Sequence, residues 1–211
     1  MKILIAKYEV ASFMKNLQKS LRANSLEADV FYARDHPFYE TNNVNFLFNL
    51  YKKSTKFREE TSRSKLIQKI FFVLVNKFLS IVTIFYIIMN YNVLVFTYAT
   101  SITNSKLESF IYKVFNIKIF YVFLGNDVRP PFLSNKYLNA LIGGELSSVE
   151  KATSQMQSNI ERIEREHAVI LSYLPYSQLL SKPFIELLQF GFPIENAKQP
   201  HQQINYVPRI I

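Results

Sequence analysis

The feature that most restricts the fold is a recurring one. Short, unbroken runs of apolar, β-branched and aromatic residues are each separated from the next by a stretch of helical character. "KILIAKY" (2–8), "EADVFYAR" (27–34), "NVLVFTYA" (92–99) and "IKIFYVFLG" (117–125) are strand-length, and the near-continuous apolarity of the first, third and fourth suits parallel strands covered on both faces. Between the first two, Phe13, Leu17 and Leu21 recur at helical spacing, so strand, helix and strand form a right-handed βαβ unit. Continued alternation predicts an α/β fold: a Rossmann-like, mostly parallel sheet with helices on both faces.

Residues 35–61 are rich in aromatic side chains and asparagine and read as a short helix with a loop. The next stretch, Ser64 to Asn90, is the most apolar of the chain and has two readings. A membrane span over Ile67–Met89 would tolerate Lys77 near its middle, at about 2.5–3.5 kcal/mol on insertion scales. A crossover helix instead places Lys65, Lys69 and Lys77 on one stripe facing water, and the strand-like run that follows at once favours it. Ser105–Asn116 reads as a further helix, followed by a loop with Pro130, Pro131 and Gly143-Gly144. Ser147–His167 reads as a long polar helix capped by Ser147 or Ser148, with Glu150 completing a capping box. "AVILSYLPY" suits a last short strand. The chain opens on only four successive apolar residues, fewer than a signal core needs, so it reads as starting directly with a strand.

Composition narrows the chemistry. The chain has no cysteine and three histidines, which excludes disulfides and thiolate chemistry and fits a reducing cytoplasm; no metal cluster or bound cofactor is expected. A net charge of +9 attracts an anionic partner. The basic residues are dense from Lys52 to Lys77 and are not interleaved with aromatics as in a single-strand groove, so nucleic acid is not the expected partner. No G-x-G-x-x-G, P-loop or G-x-S-x-G occurs, which argues against a tight dinucleotide site and a serine hydrolase.

In parallel sheets, ligands sit beyond the carboxyl ends of the strands. That edge should hold Gly125, Asn126, Asp127 and Arg129, with Tyr8–Ser12 after the first strand and Tyr98–Thr103 after the third. Ser12 and the amides starting the first helix are candidates to hold an anion. Asp127 and Arg129 have two open readings: a carboxylate and a guanidinium gripping sugar hydroxyls or phosphate, or an internal turn. His36 reads as a solvated loop residue, and His167 as a charge complementing a helix C-terminus.

Taken in order, "KILIAKY", "YNVLVFTYA", "FLGNDVRPP" and "REHAVILSYLPYSQLLSKPFIELLQFGFPIE" resemble the N-terminal half of a GT-B glycosyltransferase of the family-4-like group. Many members carry a G-S/C/T-D-[IV]-R segment where this chain has Gly125 to Arg129. The resemblance implies that residues 1–195 form the acceptor-side domain, and 196–211 the linker and first strand of a second, donor-binding domain. It implies transfer of a sugar from a nucleotide-sugar donor to a glycan or lipid-linked acceptor, in surface polysaccharide synthesis, with no bound metal and no activity from this chain alone. Leu124 stands where many retaining members place a histidine, which leaves Asp127 as the catalytic candidate. Gly125, Asn126, Arg129, Ser12 and Tyr98 are then the acceptor-contact candidates. Lys52, Lys53, Lys56, Arg58 and Arg63 become candidates for contact with an anionic membrane face, and the location is cytoplasmic, peripheral on the inner membrane. The rival expectations are a non-enzymatic membrane-associated protein with a span at 67–89, and a binding-only subunit that pairs with a separate donor domain.

Overall fold

A computed structural model describes residues 1–61, 66–125, 128, 142–143, 146–166, 168–172, 177 and 179–186. The expected α/β architecture is present as a six-stranded, all-parallel sheet. Its strands are β1 Lys2–Lys7, β2 Glu27–Tyr32, β3 Val93–Thr97, β4 Lys118–Phe123, β5 Val169–Ser172 and β6 Ile185–Glu186, in the order β2-β1-β3-β4-β5-β6. The described helices are α1 Phe13–Ala23, α2 Phe46–Glu60, α3 Leu66–Asn90, α4 Lys106–Val114 and α5 Leu146–Arg165.

Strand alternation sorts the side chains onto two faces. Ile3, Ile5 and Val93 bury against Met14, Phe13, Leu17 and Leu21, so α1 covers one face. Leu4, Leu94, Phe96, Tyr121 and Ile170 bury against Phe48 and Tyr51 of α2, Ile84 and Ile87 of α3, Tyr112 of α4 and Ile160 and Ile163 of α5. Helices therefore lie on both faces, with α2, α3, α4 and α5 sharing the face opposite α1. This follows from handedness: the chain steps one way from β1 to β2 and the other way for every later crossover, so right-handed crossings put the later helices opposite α1.

Local sequence explains the helix starts. The Asn45 side chain accepts from the amides of Leu47 and Phe48, and Ser105 Oγ accepts from the amide of Glu108. Three local expectations change. Residues 35–61 hold a helix of 15 residues rather than a short one. Ser147 and Ser148 lie inside α5, which begins at Leu146, so neither is its N-cap. The outer face of α3 is largely apolar and not a lysine stripe alone: Phe71, Leu74, Phe78 and Phe85 are exposed; of the expected lysines Lys77 is exposed, Lys69 is half-buried and Lys65 lies outside the described residues. Residues 196–211 and "NYVPRII" lie outside the described residues.

The β1 and β3 ladder ends at the pair Ala6 and Phe96. Beyond it the Thr97 side chain takes over, accepting from the amides of Lys7 (3.2 Å) and Tyr8 (3.1 Å) and donating to the Tyr8 carbonyl (2.7 Å). Thr97 is fully buried. Thr97→Val keeps the shape and removes the hydroxyl; it is expected to cost about 2–3 kcal/mol in urea unfolding, with Thr97→Ser recovering part of the loss.

Candidate ligand edge at the strand reversal

The strand order β2-β1-β3 means that the chain leaves β1 to one side and returns to the other, which opens a crevice between the carboxyl ends of β1 and β3. Along that edge the strand order sets Arg34, Tyr8, Tyr98 and Gly125 side by side. The Tyr8 and Tyr98 rings meet edge to face at 6.3 Å, and the Arg34 guanidinium lies 5.2 Å from the Tyr8 ring centre. Arg34 also pairs with Glu59, which stands 3.6 Å from Arg58. Backbone strain gathers here too. Ala11, Ser12 and Tyr98 all have left-handed dihedrals (φ 47°, 62° and 61°), a conformation that non-glycine residues adopt rarely and that clusters at functional sites.

Beneath the rings, two buried charges share one loop. Lys7 Nζ donates to the carbonyls of Ser101 (2.9 Å) and Ile102 (3.1 Å). The Glu108 carboxylate accepts from the Ile102 amide (2.9 Å), the Thr103 amide (2.7 Å), Ser101 Oγ (2.9 Å) and Thr103 Oγ1 (2.6 Å). Residues 101–103 thus present carbonyls to the cation and amides to the anion, which satisfies both at once. Burial pulls the Lys7 ammonium down from 10.5 to about 8, against the opposing pull of Glu108 and with a further push from Arg34 and Arg58. Burial also raises the Tyr8 phenol.

Ser12 is the N-cap of α1 but makes no side-chain cap bond, and the helix-start amides do not await an external anion. Glu9 occupies them: its carboxylate accepts from Val10 (2.8 Å), Met14 (3.1 Å) and Lys15 (3.4 Å). Tyr98 stands in the crevice, its amide bonded to the Val122 carbonyl at 3.1 Å. Gly125 has φ +148°, and its carbonyl accepts from the amide of the fully buried Val128 at 3.1 Å. A Cβ there would meet nothing within 4 Å, so the backbone dihedral demands glycine and the space beyond is open. Asn126, Asp127 and Arg129 lie outside the described residues, as does Arg63.

Among the basic candidates, Lys52 turns inward. It donates to the Thr41 carbonyl and pairs with Asp35, whose carboxyl it holds below its ordinary value. Arg58 donates to Asn76 Oδ1 at 3.0 Å. Lys53 and Lys56 are exposed. His36 Nδ1 accepts from the Phe38 amide, organising its own loop, and His167 lies outside the described residues. Among the described residues no group of three His, Asp or Glu is placed to hold a metal.

Lys7, Arg34 and Glu108 were not singled out in the sequence. Glu108 was signalled there by Ser105-x-x-Glu108, a capping-box pattern. The edge offers ring faces and a glycine opening to a polar ligand. An open cleft of about 940 Å³ lies apart from it, between α4 and α5, lined by Phe110, Lys113, Lys118, Arg162 and Arg165. Comparison with family models, curated proteins and solved structures finds no match for the chain.

The buried lysine sets a pH dependence. The unfolded chain keeps the Lys7 proton up to about pH 10.5 while the folded chain loses it near 8, so the unfolded state binds more protons in that window and stability rises with pH. Urea unfolding between pH 7 and 10 should show the Lys7 contribution to stability growing by about 2–3 kcal/mol, relative to a Lys7→Met variant that lacks it. Above pH 10 the trend reverses, because burial raises Tyr91 and Tyr121 and lifts Tyr32 to about 12.

Proposed function

We propose that the chain is the acceptor-side domain of a GT-B glycosyltransferase, which moves a sugar from a nucleotide-sugar donor to a glycan or lipid-linked acceptor in surface polysaccharide synthesis. The observation that carries the reading is the juxtaposition of the Gly125 turn with Tyr8 and Tyr98 at the strand reversal. Aromatic faces suit the apolar faces of a sugar ring, and a glycine opening lets a hydroxyl approach the backbone. In this reading Asp127 is the catalytic carboxylate, and Asn126 and Arg129 grip the acceptor. Ser12, at the start of α1, borders it. Donor binding falls to a second domain, so the nucleotide-sugar is a partner only of the two-domain enzyme, and neither a metal nor another cofactor is called for.

The test is transfer by a protein carrying both domains. Asp127→Asn and Arg129→Ala are expected to lower kcat/KM at least tenfold with the melting temperature unchanged, whereas Tyr98→Ala should raise the acceptor KM more than it lowers kcat. Full transfer in all three variants would remove the acceptor site from this edge.

One observation favours a second reading, a non-enzymatic membrane-associated protein. The 25-residue helix Leu66–Asn90 is long and apolar enough to cross a membrane, with mean hydropathy 2.2 and only 28% of its apolar window buried. If it spans, the chain will need detergent to stay monomeric; monodispersity without detergent removes the span.

A further inference from the structure

The helix α3 is built inside out. Ile67, Phe71, Leu74, Phe78, Phe85 and Met89 recur at intervals of three, four and seven, so they share one helix face, and that face is exposed: Phe78 is 65% and Met89 80% accessible. The opposite face carries the buried residues Asn76, Ser80, Thr83, Ile84 and Ile87. A helix at a protein–water boundary places its polar residues outward; here the three buried polar side chains point in and the large apolar ones point out.

The inward face is firmly held. Asn76 donates to Ser54 Oγ (2.8 Å) and Thr55 Oγ1 (3.0 Å) on α2 and accepts from Arg58, so it ties the two helices together by side-chain bonds. Ser80 Oγ donates to the Asn76 carbonyl, and Ile87 is fully buried in the sheet core. Toward its end, Tyr86 accepts from Asn45, the residue that caps α2. Crossing a bilayer would separate Asn76 from Ser54, Thr55 and Arg58 of α2 and leave its amide unpaired in hydrocarbon. The helix is therefore bound along its inner side to the folded domain and offers one face, over about 37 Å of length, to something apolar.

We propose that this face is seated in the interfacial layer of an anionic bilayer, with α3 lying in the membrane plane. Charge selects the occupant. Lys77 is exposed beside the stripe, and Lys53 is exposed on α2, as is Lys56, which stands 3.9 Å from the exposed Glu60. Phe57, half exposed, stacks on Phe72 at 5.5 Å and extends the apolar surface onto α2. Apolar side chains entering the headgroup boundary with lysines flanking them is the arrangement of an interfacial helix. A second copy of the chain is disfavoured as the occupant, since it would bring another net charge of +9 against these lysines. The inference rests on α3 and α2 and is independent of the transferase reading; the vesicle assay below involves no sugar transfer, so either can fail alone.

The chain has no tryptophan, so a single introduced one reports cleanly. The full chain is mixed with vesicles of phosphatidylcholine alone, or containing about 30% phosphatidylglycerol. Ile67→Trp, Phe78→Trp and Met89→Trp are read against lipids brominated at shallow or deep positions. Binding to the anionic vesicles is expected, at least tenfold weaker to neutral ones and at least tenfold weaker for Phe78→Glu/Phe85→Glu, whose exposed sites leave the melting temperature unchanged. All three tryptophans should be quenched most by the shallow bromines. Deep quenching of Phe78→Trp with shallow quenching at both ends would establish a span and overturn the proposal. So would a failure to bind anionic vesicles, or a lipid-free, concentration-dependent blue shift showing that a second copy covers the face.

Discussion

Everything at the ligand edge depends on how β1 and β3 part company. These two neighbouring strands are far apart in sequence, and their ladder stops at Ala6 and Phe96. At that point the main chains diverge, and the hydroxyl of Thr97 replaces the bonds the ladder no longer makes. A buried amide without a partner is costly, so the divergence is stable only because one short side chain can accept twice and donate once. Tyr8 and Tyr98 take their positions from this junction.

The second layer of support is electrostatic. Lys7 and Glu108 do not touch as an ion pair; each is solvated by opposite sides of the same three peptide units. Two charges buried directly against each other often gain little over apolar residues, because the cost of leaving water offsets the attraction. Here the peptide dipoles of residues 101–103 stand in for water, and the loop is held from both sides. That fixes the backbone just after Tyr98, where the left-handed dihedral needs a rigid surround.

Much of the fold was legible because strand-length apolar runs have few alternatives. The six residues of β1 and of β4 fall inside the runs read from sequence. What escaped had physical reasons. The strand β6 is two exposed residues, Ile185 and Glu186, too short to carry a pattern. A capping box was read at Ser147–Glu150, yet Ser105–Glu108 is where a serine caps its helix, and the Glu108 carboxylate turns to the preceding loop instead of to the cap amide. The hydropathy of α3 was plain, but which side faced the sheet was not, since both sides are largely apolar and only Asn76, Ser80 and Thr83 mark the inner one. Position 125 needs glycine for its dihedral, and a backbone angle leaves no mark in the residue pattern around it. Glu9 gave no signal at all, because its role depends on where the chain turns after β1.

The position of β1 also bears on how the chain acquires its fold. It is synthesised before both of its neighbours, β2, whose pairs with it span 25 residues, and β3, whose pairs with it span 90. At about 5–20 residues per second, some seconds separate the two pairings. During that time Ile3, Leu4, Ile5 and Ala6 have one side of the ladder open, an apolar parallel edge of the kind that recruits other chains. All of α3 is made in the same interval, before the strand that closes the edge. The strand that later anchors the centre of the sheet begins as its most vulnerable boundary.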